Sequence, residues 1–405
     1  MKIVLIDKEE NLKVGGITTY NSRLYHHLIS HGHKVYILRF AKQTISGRNI
    51  YKIPYYLAEK RTMVILPSEK TLSIIKKHLI NLKPDLVYTC VGISPFDFFL
   101  PSLCHELNIP ITAVWHADYN ENRNSYYLLV KSIFMAYAPF CLQLDHLHVF
   151  SDKLKNFYIR RGMPKKRIIV LPNGVDPTVY KPGKSDYGEK HRIKTGILFL
   201  GRLTIQKNPE ALIKAFLSIN TPRDTKLVII GHGEQAEMLR ENYKNPQVIF
   251  TGPIKDEREK LEIMRSCQIY VLPSRVEGMS LALLEAMSTG LSCIATDVGA
   301  NGQLLGKAGI LIAENKIKWE LPLDLKILLD NNEFARLLAR QSRLKIIKEY
   351  SQAKIFNRLT EEFARTISDY KREGPPKTRK FNIEKLVLNR ISPLWNKIQQ
   401  IISDL

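Results

Sequence analysis

Short apolar runs alternate with helix-length segments twice along this chain, and the alternation stops once between the two sets. The first set of candidate strands is Ile3–Ile6, Lys34–Leu38, Leu86–Tyr88, Ile111–Trp115, His146–Phe150 and Ile168–Leu171, with helical patterns such as Thr18–Ser30 and Leu72–Leu82 between them. Parallel neighbours need a long crossover, usually a helix, whereas antiparallel neighbours can be joined by a tight turn. Strands spaced by helices therefore predict βαβ units and a doubly wound parallel sheet.

The segment Pro172-Asn173-Gly174-Val175-Asp176-Pro177 breaks the pattern, and the chain to about Lys194 is polar and rich in Gly, Pro and Lys, which suits a linker. The second set of strands is Gly196–Leu200, Lys226–Ile230, Val248–Thr251, Ile269–Leu272, Ser292–Thr296 and Gly309–Ile312. The predicted fold class is α/β, with two Rossmann-like doubly wound domains facing across a cleft and a basic helical C-terminal tail. The domains are expected over residues 1–180 and 195–350. Helical structure is expected from Asp324 to about Arg372, with 351–372 returning to the N-terminal domain. Ligands of open α/β sheets bind beyond the carboxyl ends of the strands, so the loops there are the places to look.

A chain of 405 residues has room for two such domains. Its five cysteines are odd in number and widely spaced, with no metal-ligand spacing, so a reducing compartment is expected and a zinc site or disulfide framework is not. The N-terminus MKIVLIDKEE has too short an apolar run for a signal peptide and reads as a first strand. The nearest approach to a membrane span, Tyr126–Leu142, is interrupted by Lys131 and Pro139, and a buried or interfacial helix is expected there.

The net charge of +22 suits phosphorylated ligands, anionic lipid headgroups or nucleic acid. No zinc-finger spacing or RNA-binding aromatic signature accompanies it, so no nucleic-acid partner is expected. The tail over 375–405 repeats apolar residues at roughly helical spacing among lysines and arginines, and Pro393 should divide it. Residues 371–405 carry eight basic and three acidic residues, a net of +5. Such a tail can meet an anionic membrane surface, or it can pack on the N-terminal domain or mediate oligomerisation.

The chemistry is concentrated in the second half. Gly201-Arg202-Leu203 follows one strand and Lys207-Asn208-Pro209 opens the next helix. Arg202 and Lys207 at a strand end and a helix start suit a diphosphate, although two solvated loop cations would look the same. Gly231-His232-Gly233 follows another strand and would let a ligand near the backbone, but a Gly-x-Gly turn is common. The full G-x-G-x-x-G fingerprint is absent, which disfavours an NAD enzyme.

Glu277 and Glu285 stand eight residues apart across the start of a helix, with Gly278, Met279, Ser280 and Leu281 between them. Were both helical, their rise would be about 12 Å, too far to share a proton and suited to two sugar rings of one ligand. The helix start would then face phosphates. In the first half, Gly15 and Gly16 form a loop after the first strand that either admits a ligand or simply turns the chain. His116 ends an apolar strand, where it is either structural or directed at a ligand.

These residues resemble the family 4 retaining glycosyltransferases of the GT-B fold. The match runs through Gly15-Gly16, Pro172-Asn173-Gly174-Val175-Asp176, Gly201-Arg202-Leu203 with Lys207-Asn208, Gly231-His232-Gly233, Pro273-Ser274 with Glu277-Gly278, Glu285-Ala286-Met287 with Gly290, and Thr296-Asp297-Val298-Gly299. It covers the chain to about residue 372. At Ala300-Asn301-Gly302-Gln303 this chain departs from the Gly-Asn-Pro-Glu that many members carry.

The resemblance implies that Arg202 and Lys207 bind the donor diphosphate and that Glu285 holds the ribose hydroxyls. Glu277, with the backbone of Gly278 to Leu281, would contact sugar and phosphates, and His116 would stand near the transferred sugar. Gly15, Gly16, Gly201 and Gly231 would belong to the donor site. It further implies transfer of a hexose from a nucleotide sugar, UDP by default, with retention and without a cofactor or metal. The expected acceptor is a glycan or a lipid-linked hydroxyl in polysaccharide or lipopolysaccharide synthesis. The expected place of action is the cytoplasm, at the inner membrane face. A soluble or protein acceptor, or a silent GT-B partner subunit, stays open.

Overall fold

In the computed structural model, residues 1–7, 16–41, 49–59, 64–67, 69–91, 95–116, 134–135 and 137–377 are described. The chain divides into two compact units, Met1–Leu171 with the segment from Phe356 onward, and Pro172–Ile355.

The first unit is built on β1 (Lys2–Asp7), β2 (Lys34–Phe40), β3 (Ile50–Ile53), β6 (Leu86–Cys90), β7 (Ile111–Val114), β8 (His146–Val149) and β9 (Ile168–Val170), with β4 (Tyr55–Glu59) and β5 (Val64–Pro67) as a separate antiparallel pair. The main sheet is parallel, in the order β3-β2-β1-β6-β7-β8-β9. The order reverses between β1 and β6, which makes their carboxyl ends the switch point of the sheet. The central strands are buried along their whole length, as a sheet with helices on both faces requires. Trp115, Phe134, Phe140 and Phe157 are among the aromatic side chains of that core.

The second unit repeats the topology. Strands β10 (Thr195–Leu200), β11 (Thr225–Ile230), β12 (Val248–Gly252), β13 (Ile269–Leu272), β14 (Ser292–Thr296) and β15 (Ile310–Ile312) lie in the order β12-β11-β10-β13-β14-β15. Here the switch point is between β10 and β13, where Leu198 pairs with Tyr270. Phe199, Leu212, Phe216 and Leu325 pack its core.

All twelve strands read from the sequence are present, and β3, β4 and β5 are additions. Two expectations change. The helical region begins at Ile317, ahead of Asp324, because Pro322 sits inside the helix Ile317–Asp330 rather than before it. The polar segment from Pro172 is no free linker: Val175 and Tyr180 are buried in the second unit, and Val175 exchanges backbone hydrogen bonds with Tyr350 and Gln352. The last described helix, Gln352–Glu373, starts in the second unit and runs on as part of the first, where Phe356 meets the rings of Tyr20 and His27 and Phe363 meets Tyr88. The basic tail beyond residue 377, the Gly15 position and most of Tyr126–Leu142 lie outside the described residues; Leu142 and the residues just before it are helical. Among the described residues, no helix is long and apolar enough to cross a membrane.

Candidate functional site

Four loops at the carboxyl ends of β10, β11, β13 and β14 form one connected structure in the second unit. The Gly201–Asn208 loop is tied to the loop after β13 by the Arg275 amide, which donates to the Gln206 carbonyl at 2.8 Å. A side-chain contact joins the same two loops: Lys207 Nζ donates to Glu277 Oε2 at 2.5 Å, and Ser274 Oγ donates to the same oxygen at 3.1 Å. Glu277 is only 9% exposed, so the lysine offsets a carboxylate largely removed from water. Arg202 is exposed on the neighbouring loop and has no ion-pair partner among the described residues. The helix start and strand end thus hold two cations of different standing, one engaged by a carboxylate and one not.

Two glycines make this packing feasible. Gly231 has φ +147°, and a Cβ there would stand 1.8 Å from the Gly201 carbonyl oxygen. The room that glycine leaves on this side is therefore filled by the adjacent strand-end loop. Gly299, at φ +59°, lies against the Glu277 carbonyl, where a Cβ would come within 2.1 Å. Ala300 then donates to the Gly278 carbonyl at 2.9 Å. In this way the turn after β14 closes over Glu277-Gly278.

The helix Leu281–Thr289 begins in this cluster. Ser280 caps it, its Oγ accepting from the Leu283 amide at 3.2 Å, and Gly290 ends it in the left-handed conformation. No acidic residue occupies its first turn, so its amide dipoles face outward without a competing carboxylate. Asn173 holds this end from the side: its Nδ2 donates to the Met279 carbonyl at 3.1 Å. Glu277 precedes the helix and only Glu285 is inside it, so a straight helical rise between the two carboxylates does not apply.

Glu285 is 4% exposed and accepts from Lys260 Nζ at 3.2 Å. That lysine also donates to the Tyr180 hydroxyl at 2.6 Å, and Tyr180 in turn donates to Glu257. Tyr270 is buried near both carboxylates. Burial, and then the charge on Glu277, push its hydroxyl well above its usual pKa, so it remains a neutral donor. Lys260 and Tyr180 are supporting residues that sequence reasoning passed over, and Ser274 entered it only as part of the Pro273-Ser274 motif, three residues before Glu277; nothing in the sequence links Lys260 to Glu285.

His116 belongs to the first unit and follows β7 as predicted. Its Nε2 lies 3.4 Å from Cys90 Sγ, and its ring meets the edges of Tyr20 and Phe150, with centroids at 5.0 and 5.2 Å. Cys90 Sγ donates to Asn21 Oδ1 at 3.5 Å, Asn21 Nδ2 donates to Asp7 Oδ1 at 2.8 Å, and Arg39 pairs with Asp7 at 3.0 Å. Beside this runs a second buried series. His148 Nε2 donates to the Leu171 carbonyl at 2.9 Å, and its Nδ1 lies 3.0 Å from the Tyr88 hydroxyl, itself 3.1 Å from that of Tyr20. Burial pushes the His148 pKa down to about 4, so the ring is neutral and accepts from Tyr88. Gly16 is the first residue of the helix Gly16–Ser30, which carries Tyr20 and Asn21.

Paired carboxylates, cations and a helix start at the switch point of a Rossmann-like sheet are groups that can bind an anion bearing hydroxyl groups. The family model for Glycosyltransferase Family 4 matches residues 14–179, and that for Glycosyl transferases group 1 matches residues 194–331. The chain belongs to the family 4, group 1 glycosyltransferases. It is 31% identical over 204 residues to the UDP-Gal:alpha-D-GlcNAc-diphosphoundecaprenol alpha-1,3-galactosyltransferase of Escherichia coli, covering 46% of this chain and 51% of that protein. It is 23% identical over 323 residues to the alpha-monoglucosyldiacylglycerol synthase of Streptococcus pneumoniae, covering 73% of this chain and 71% of the synthase. The chain spans 59% of the length of two further curated relatives. Among solved structures, Anabaena Alr3699/HepE in complex with UDP-glucose superposes with a TM-score of 0.72 at 15% identity, over 90% of this chain and all of that one. The fold is of the GT-B class.

Proposed function

We propose that this chain is a retaining glycosyltransferase. It moves a hexose from a nucleotide sugar, with UDP as the first nucleotide to test, to a hydroxyl of a glycan or lipid-linked acceptor in polysaccharide or lipopolysaccharide synthesis. The observation that carries this reading is the Lys207–Glu277 contact at the β10/β13 switch point, next to the start of the helix at Leu281, whose first turn holds no acidic residue. In this reading Arg202 and Lys207 neutralise the leaving diphosphate, which makes a metal unnecessary. Glu285, held by Lys260, takes the ribose hydroxyls. Glu277 and the Gly278–Leu281 backbone take the sugar and the phosphates, and His116 serves the transferred sugar. The acceptor class is supported by relatives whose names specify a diphosphoundecaprenol-linked sugar and a glucosyldiacylglycerol. The excess of basic residues favours an anionic membrane surface as the place of work, reached from the cytoplasmic side.

A thermal-shift screen against UDP-, GDP- and ADP-sugars in the presence of a chelator tests the donor site. A donor at a hundred times its Kd should add about 2.7 kcal/mol to stability. With the donor in hand, the anomeric proton coupling in the product reports retention or inversion. A folded protein that binds none of these donors would overturn the reading.

A further inference from the structure

Five cations gather at a place in the first unit that the cluster at β10 and β13 does not use. Lys155 of the helix Asp152–Ile159, Lys165 and Lys166 of the turn before β9, and Arg358 and Arg365 of the helix Gln352–Glu373 line a cavity of about 480 Å³, together with the carboxylate of Glu362. Strand β9 forms a further wall. All of these residues belong to the first unit. Strand β9 is the outermost of its sheet and stands three strands from β6, roughly 14 Å from the switch point at the spacing of neighbouring strands.

The sequence places the helical cations by period. Arg358, Glu362 and Arg365 fall at i, i+4 and i+7, one face of the helix, while Leu359 and Phe363 beside them are buried. Arg365 also holds the turn before β9, its Nη2 donating to the Lys166 carbonyl at 3.3 Å.

Like charges around one cavity oppose each other, and acidic partners offset only part of this. Lys155 meets Asp152 at 3.3 Å, Lys166 meets Glu373 at 2.6 Å and Arg365 meets Glu362 at 2.6 Å. Lys165 and Arg358 enter no ion pair among the described residues. Two unopposed cations on two elements correspond to one phosphomonoester, which carries close to two negative charges near neutral pH. Cations arriving from three elements suit a tetrahedral anion, whose oxygens point in several directions; a planar carboxylate is matched by a single guanidinium fork.

We infer that this cavity is a binding site for a phosphomonoester, with Lys165 and Arg358 supplying the charge that the ligand neutralises. Its source is a soluble phosphate ester or the headgroup of a phosphomonoester lipid. The inference does not rest on the glycosyltransferase reading.

Calorimetric titration of the full chain with glycerol 3-phosphate, in a phosphate-free buffer, tests it. Saturable binding is expected, and the double variant Lys165→Gln/Arg358→Gln should weaken it by roughly tenfold for each cation removed. The control Lys34→Gln/Lys70→Gln takes the same charge from exposed positions of the same unit and should leave the affinity unchanged. Flotation with phosphatidylcholine vesicles containing phosphatidic acid separates the sources. Retention of the native chain but not of the Lys165→Gln/Arg358→Gln variant assigns a lipid headgroup; binding of glycerol 3-phosphate without retention assigns a soluble ester. No binding by the native chain, equal affinity in the two chains, or an equal loss in the control would overturn the inference. So would binding abolished by Arg202→Ala and kept by Lys165→Gln/Arg358→Gln, which would put the anion in the second unit.

Discussion

The two sheets share one topology yet hold their strand-end loops by different means. In the second unit, backbone approaches backbone at Gly231 and Gly299, and the side chains that meet are ions: Lys207 with Glu277, Lys260 with Glu285. In the first unit, Gly32 and Gly162, which precede β2 and β9, have open space where a Cβ would sit, and the strand ends at the switch point are joined largely by a thiol, an amide, two tyrosines and two histidines. An ionic cluster suits a charged ligand whose phosphates can displace or join its pairs. A neutral, directional network suits hydroxyls, which are told apart by who donates. One fold thus carries two kinds of chemistry at its strand ends.

The contrast is most easily broken at a glycine. Gly231→Ala should destabilise the second unit by roughly 4 kcal/mol, from a disfavoured φ plus overlap with a backbone carbonyl. Gly162→Ala, with φ +91° and no neighbour, should cost about 1 kcal/mol. Denaturant midpoints measure both, and equal losses would mean that close approach does not hold the second unit's loops.

Next in size is Glu277→Ala, which strands Lys207. The expected loss in kcat is on the order of a hundredfold, read with the donor found by the screen. A loss confined to KM would demote the pair to uniform binding.

The third test uses acid. Burial holds His148 and His146 at about 4, below their ordinary 6.5. The unfolded chain takes up these protons first, so the stabilising contribution is complete above about pH 6.5, falls as the pH drops towards 4, and changes little below that. The loss should amount to about 3 kcal/mol for each ring, because a proton held one pH unit less tightly in the folded chain corresponds to about 1.4 kcal/mol. His148→Phe should flatten part of that slope in denaturant titrations at a series of pH values. An unchanged slope would show that the ring is not buried neutral.

The smallest expected effect is at Arg202. Its exposure predicts a stability change within about 0.5 kcal/mol on mutation to Ala, while donor affinity weakens. A large drop in melting temperature would place Arg202 in a structural role.

Much of this was legible beforehand. Apolar runs bounded by glycine and proline located the twelve strands, because a buried parallel strand must be apolar along its length. The strands that escaped, Ile50–Ile53, Tyr55–Glu59 and Val64–Pro67, are short; the first two mix Lys, Tyr or Glu into the pattern, and the third is three apolar residues ended by a proline. Arg202, Lys207, Glu277 and Glu285 were legible by their place at strand ends and helix starts. Lys260 and Cys90 were not: each meets its partner only because two elements separated in sequence converge, helix on helix for Lys260 and strand end on helix for Cys90, and no periodicity records that. The packing role of Gly231 was not legible for the same reason, since the Gly201 carbonyl beside it lies in the loop after another strand.

The helix Gln352–Glu373 has a consequence for how the chain is made. As synthesis proceeds from the N-terminus, the second unit has every residue it needs once Ile355 has emerged. The first does not: Phe356 against Tyr20 and His27, Phe363 against Tyr88, and the Lys166–Glu373 pair at 2.6 Å all wait for the last described helix. The part of the protein that is translated first is therefore completed last, and for most of its time on the ribosome it presents an apolar seam that only its own C-terminal helix can cover.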